Sequence, residues 1–260
     1  MSNSSLVSYT KISPNKTSPR DHVIDTISIH CMAGNLTVET CGNVFAPTSR
    51  QASSNYGIGS DGRIAMYVEE KDRSWCTSNR ANDMRAVTIE VANDGGANTG
   101  WHVSDKALAS LVKLCADICK RNGIKKLIWT TNKSDRMNHQ NGANMTVHRD
   151  YATKSCPGDY LYSLHGWIAQ EVNKILDSAS GSEETPKPVQ SGSSFKPYTV
   201  MITAHMLNVR KGPGTNYGVA TTVRKGEIYT IVAEAKNGDT VWGKLKSGAG
   251  YISLSYTKRK

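Results

Sequence analysis

IDTISIH, residues 24–30, is a short β-branched run that reads as a buried strand ending on a histidine. AVTIEVA (86–92) reads the same way, and SDGRIAMYVEE (60–70) reads as a turn pair leading into a strand. Helical patterns follow. Residues 104–122 set Leu108, Leu111, Val112, Cys115, Ile118 and Cys119 on one face, with Ser104 placed to cap the start and Gly123 the end. Residues 159–176 repeat the pattern with Leu161, Leu164, Ile168, Val172 and Ile175, behind Cys156-Pro157-Gly158 and a capping Asp159. Strands separated by helices predict an α/β domain, a central mixed sheet flanked by helices.

Beyond the second helix, SASGSEETPKPVQSGSSF (178–195) has no hydrophobic period and the composition of a linker. The chain is therefore divided into a domain over 1–177, a linker over 178–195 and a domain over 196–260. In the last, MLNVRKGPG, ATTVRKGEIYTIVAEA, TVWGKLKSG and AGYISLSY are short strand candidates broken by Gly and Pro. They predict a small all-β barrel.

The net charge of +10 is uneven. Residues 196–260 hold eleven Lys/Arg against three Asp/Glu, a balance of +8, whereas residues 1–178 hold twenty against seventeen. A basic tail favours a polyanionic partner, nucleic acid or an anionic surface. No stretch approaches the roughly 18 apolar residues of a membrane span, and the first twenty residues carry no apolar run of signal-peptide length. A soluble product made in the cytoplasm, without membrane insertion, is expected. Its six cysteines are then expected as thiols, Cys115 and Cys119 in the core and one available to a metal.

The chemistry concentrates in TVHRDYATKSCPG (146–158), where His148, Lys154 and Cys156 precede a Pro-Gly and the final helix. Imidazole and thiolate are preferred zinc ligands, and three protein ligands with a water make a catalytic site. His148 and Cys156 need a third, for which His30 is the leading candidate because a strand end opens onto a cleft. Taken singly, each has an ordinary reading as well: a satisfied histidine, a small buried cysteine, a loop lysine.

Together, ISIHCMAG, SSNYGIGSDGRI, AVTIEVAN and the H-x5-K-x-C-P-G block resemble, in order and spacing over residues 22–176, the type 2 zinc N-acetylmuramoyl-L-alanine amidases. That family includes phage lysozyme-amidases, muropeptide amidases and peptidoglycan-recognition proteins. The resemblance implies Zn2+ held by His30, His148 and Cys156, with Glu90 as catalytic carboxylate and Lys154 as the cation beside the metal. Some members use a tyrosine instead; the corresponding position here is Ser54, so Glu90 is preferred and Tyr56 is assigned to the cleft or core. Trp75, Cys76 and Asn79 fall where members line the cleft, while Trp101 and Trp129 are expected in the core. His22, His102, His139 and His165 are given no role.

LNVRKGPGTNYGVATTVRKGEIYTIV and VWGKLKSGAGYISLSY resemble the bacterial SH3 repeat, which implies a cell-wall-binding module. Tyr217, Tyr251 and Tyr256 could then stack on sugars or fill the barrel, and its Lys and Arg meet anionic wall polymers. The resulting expectation is a peptidoglycan hydrolase, a phage or prophage endolysin of a Gram-positive host, acting on the wall after release from the cytoplasm. The alternatives are a bacterial autolysin and a non-catalytic peptidoglycan-binding protein, the latter disfavoured by the intact ligand set. Nucleic acid is disfavoured because the basic residues are scattered along strands. A cytoplasmic recycling amidase would have little use for a wall-binding module.

Overall fold

A computed structural model describes residues 2–178, 195–214, 217–237 and 240–260. The chain divides into two compact units, Met1–Ser180 and Gly181–Lys260. All but the ends of the expected linker 178–195 lies outside the described residues.

The first unit is built on a six-stranded mixed sheet. Its strands are β1 (Tyr9–Thr10), β2 (Thr26–Cys31), β3 (Tyr56–Ile58), β4 (Ile64–Met66), β5 (Ala86–Val91) and β6 (Met145–Thr146). Their spatial order is β1-β4-β3-β5-β2-β6. β3 and β4 are antiparallel, and every other neighbouring pair is parallel. Central parallel strands are covered on both faces, which is why TISIHC and AVTIEV are so uniformly buried. β4 is shorter than the predicted 60–70 strand. The Tyr67 and Val68 amides both turn to the Asn55 carbonyl, at 2.9 and 3.3 Å, and the ladder ends there.

Among the described residues six α-helices accompany the sheet: α1 (Val38–Phe45), α2 (Arg80–Arg85), α3 (Asp105–Asn122), α4 (Lys133–Asn138), α5 (His148–Tyr151) and α6 (Asp159–Ser178). The Ala107 amide donates to Ser104 Oγ at 3.2 Å, and Gly123 closes α3 at φ +72°, a left-handed cap that glycine takes without strain. α3 packs against α6 through the predicted apolar faces. Cys115 and Cys119 are in that core, and all six cysteines are free thiols. Trp101 and Trp129 are not core residues; each is half-buried. Trp101 lies at φ +59° with its ring over Gly158, and Trp129 stacks on His165 at 4.4 Å.

His165, on α6, is fully enclosed. Its Nδ1 donates to the Leu161 carbonyl at 2.7 Å, and Nε2 is buried without a hydrogen-bond partner. Burial lowers its pKa to about 4. An unfolded chain takes up this proton near pH 6.5, whereas the folded chain refuses it until about pH 4. The contribution to stability is thus whole above pH 6.5 and is lost as pH falls toward 4, on the order of 3 kcal/mol. His165→Phe is expected to flatten the loss of urea resistance between pH 7 and 4.5. Unchanged slopes in the variant would mean that another group sets the acid limb.

The second unit is all antiparallel. Its strands β7 (Tyr198–Ile202), β8 (Met206–Arg210), β9 (Val219–Arg224), β10 (Ile228–Asn237), β11 (Thr240–Leu245), β12 (Tyr251–Ser253) and β13 (Thr257–Arg259) run in the order β9-β8-β12-β11-β10-β7-β13. Alternate residues such as Val200, Ile202, Leu207 and Val209 point into one core, as the period of two requires. Tyr217, Tyr251 and Tyr256 are half-buried, and Tyr256 packs on that core. No helix among the described residues is long and apolar enough to cross a membrane.

Candidate active site

The register of the sheet sets the centre. His30 on β2 pairs with Glu90 on β5, and Glu90 pairs with Gly57 on β3. Residues at one register level point to the same face, so His30 and Glu90 stand side by side. The third position carries no side chain, and the Tyr67 ring covers it. Tyr56 pairs with Ile89, one step along, and therefore points to the opposite face. There it is fully buried, and its hydroxyl donates to Glu70 Oε1 at 2.6 Å. Of the two places expected for Tyr56, it occupies the core.

α5 brings His148 to the same end, and the loop after it returns Cys156. The donor atoms of His30, His148 and Cys156 all lie within 4.8 Å of one another, with Cys156 Sγ 3.4 Å from His30 Nδ1. A tetrahedral ion with Zn–N and Zn–S bonds near 2.1 and 2.3 Å separates its donors by about 3.5 Å. One edge of that tetrahedron is already in place. The neighbours of His30 fix its tautomer. Ser28 has one hydroxyl proton, donated to the Thr146 carbonyl at 3.3 Å. Its oxygen, 3.1 Å from His30 Nε2, then accepts the Nε2 proton. Nδ1, the atom facing Cys156, is left with its lone pair free, as a ligand requires.

Electrostatics agree with a cation-binding role. Burial, followed by His148, holds the His30 pKa well below its usual value; burial and Lys154 lower that of His148. Both rings are neutral at pH 7. Without a metal, the side chain of Cys31 and burial push the Cys156 thiol up. The Cys31 amide also donates to Cys156 Sγ at 3.4 Å. A bound cation would reverse the balance and take the thiolate.

Glu90 is half-buried, with Oε2 closed off from solvent and without a partner. Oε1 accepts a weak hydrogen bond from Cys76 Sγ at 3.8 Å. Desolvation raises the Glu90 pKa to about 8. A second triad, His30, Cys76 and Glu90, also has its donor atoms within 4.8 Å of one another. Lys154 is exposed on the α5–Cys156 loop, near enough to perturb His148. Trp75 Nε1 donates to Thr17 Oγ1 at 3.0 Å, and Asn79 caps α2.

Sequence reasoning missed three supports. Ser28 orients His30, and Ser78 Oγ stands 3.2 Å from His148 Nε2. Arg136 of α4 clamps Asp150 in α5 through bonds of 2.8 and 2.6 Å, both side chains being almost wholly buried.

Residues 20–159, more than half of the chain, match the model of the family described as N-acetylmuramoyl-L-alanine amidase. The chain belongs to that family. This amidase hydrolyses the amide between N-acetylmuramic acid and L-alanine in peptidoglycan. Residues 206–258 of the amidase match the bacterial SH3 domain. No curated protein matches it. Solved structures similar to it include PlyL, with 14% identity, TM-score 0.47, and coverage of 63% of this chain and 95% of that one. LysC from Clostridium intestinale URNW, an N-acetylmuramoyl-L-alanine amidase, has 17% identity, TM-score 0.44, and coverage of 62% and 94%. A selenomethionine derivative of AmpD has 17% identity, TM-score 0.47, and coverage of 62% and 93%.

Proposed function

We propose that the amidase is zinc-dependent, with His30, His148 and Cys156 holding the ion, Glu90 moving protons and Lys154 stabilising developing negative charge. The observation that carries this reading is the converging donor set beside a half-buried carboxylate whose Oε2 is enclosed and unpartnered. Two neutral imidazoles and a thiolate fit Zn2+ by softness and number, and they leave a fourth position open. When bound, zinc supplies a Lewis acid that polarises the amide carbonyl and makes a water acidic near neutral pH. Glu90 Oε2 would take a proton from the attacking water and return it to the departing alanine nitrogen. As the carbonyl carbon becomes tetrahedral, its oxygen turns anionic, and the Lys154 ammonium would offset that charge.

In this reading residues 1–177 are the catalytic domain and residues 196–260 a wall-binding domain. The domain's excess of cations, eleven Lys/Arg against three Asp/Glu, suits anionic wall polymer. An endolysin role, phage or prophage, with synthesis inside the host and access to the wall on release, suits a chain whose six cysteines are all free. Digestion of Gram-positive sacculi tests the chemistry. New alanine amino termini without new reducing ends are expected, lost on chelation and restored by zinc. Undiminished release of alanine termini after complete metal removal would end the zinc reading.

A further inference from the structure

Cys31 ends β2 directly after His30, and the proposed chemistry makes no use of its side chain. Its amide donates to Cys156 Sγ at 3.4 Å, and the two thiols are hydrogen-bonded to each other. With an N–Cα bond of about 1.46 Å, the Cys31 Cα lies within about 5 Å of that sulfur. A disulfide holds one residue's Cα roughly 3–5 Å from the other's sulfur, so the backbone already stands where a bridge would need it. Thiols in contact then reach the bonding distance of about 2.05 Å by side-chain rotation. Both cysteines are half-buried, within reach of a small solute, whereas Cys41, Cys115 and Cys119 are buried. A bond here would have a consequence, because Cys156 Sγ lies 3.4 Å from His30 Nδ1 and belongs to the converging donor set.

We propose that Cys31 and Cys156 form a redox pair, in which a disulfide between them takes a ligand from the metal centre and switches the amidase off until it is reduced. The inference rests on the zinc reading of that centre. A thiolate is a zinc ligand, and a disulfide sulfur, with no charge to offer, is not. The oxidant is a peroxide. The Cys156 sulfur attacks one peroxide oxygen, the O–O bond breaks, and one water leaves behind a sulfenic acid. The Cys31 sulfur then attacks Cys156 Sγ, the S–S bond forms, and the hydroxyl departs with the Cys31 proton as a second water. Two thiols have given up two electrons and two protons, and the peroxide has taken both. Exchange with a dithiol returns the pair to thiols. A bound cation covers the same sulfur, so metal and oxidant compete for Cys156.

The test treats the metal-free, full-length chain with hydrogen peroxide, maps its cysteines by mass spectrometry, and measures zinc affinity against a competing chelator before and after. The wild type is expected to lose two hydrogens and to yield a peptide pair linked through Cys31 and Cys156. Its zinc affinity should fall at least about 100-fold and return when a dithiol is added. Cys31→Ser keeps the backbone amide and the donor set, so before oxidation it should bind zinc and digest sacculi as the wild type does. The same peroxide should leave it without the linkage, with oxygen added at Cys156 instead. A wild type that pairs Cys156 with another cysteine, or links it to Cys31 with zinc affinity unchanged, would overturn the switch. Zinc bound by the reduced chain, with no linkage formed on oxidation, would overturn the switch and leave the zinc reading standing. A reduced chain that binds no zinc would sink the zinc reading, and the switch with it.

Discussion

Glu90→Gln is expected to lower kcat on sacculi by about a thousand-fold while bound zinc stays at the wild-type level. The substitution keeps the shape of the side chain, and the pairing of β5 with β2 and β3 does not depend on its charge. What it removes is a proton carrier. Glu90 is the carboxylate at the same register level as His30, and desolvation lifts its pKa to about 8 in the absence of a metal. A divalent cation a few ångströms away pulls in the other direction, toward the ionised base. The acid limb of kcat/KM against pH should therefore belong to Glu90, with activity rising as the carboxyl loses its proton, and Glu90→Gln should erase that limb along with most of the rate. Near-normal turnover by a fully metallated Glu90→Gln would remove the carboxylate from the mechanism and shift attention to Cys76, whose thiol faces it.

The parts of this fold that were legible in the sequence are those with a strong period. The runs that became β2 and β5 are short and rich in β-branched residues, and α3 and α6 repeat apolar residues at helical spacing, α3 between a Ser cap and a glycine stop. The convergence of His30 with Cys156, 126 residues later, was suggested by a family pattern and has no local signal of its own. Partners chosen across the sheet were illegible for the same reason. Ser28 reaches Thr146 because β2 and β6 lie in register, a fact of topology and not of spacing. Trp101 misled through its size. Its large apolar area predicts burial, but it sits in a left-handed turn and lays its ring on Gly158, where a glycine leaves room for it. His165 gave no warning either, since a histidine at a core position of a helix reads as a polar interruption until its enclosure is seen.

Asp150→Ala is expected to destabilise the amidase by about 3–5 kcal/mol, the largest stability effect among these substitutions. Arg136 and Asp150 have side chains 2% and 1% exposed, so removing the carboxylate strands a guanidinium that water does not reach. The Thr130 carbonyl, which accepts from Arg136 Nη1 at 2.8 Å, and the ring of Trp129 at 4.5 Å are left as its company, and neither carries a full negative charge. A double variant, Arg136→Met with Asp150→Leu, should recover most of the loss in urea unfolding, because the penalty belongs to the unpaired charge and not to the absence of the pair. A second readout separates packing from positioning. Asp150 lies two residues beyond His148 in the single turn of α5, and Arg136 ties that turn to α4. With the clamp gone, His148 is free to drift from His30 and Cys156, and zinc affinity measured against a competing chelator should weaken about 10- to 100-fold. In the double variant stability returns, but the fork that oriented the turn does not, so the zinc affinity should stay low. Recovery of both together would reduce the pair to a packing element and leave the aim of His148 to Ser78 alone.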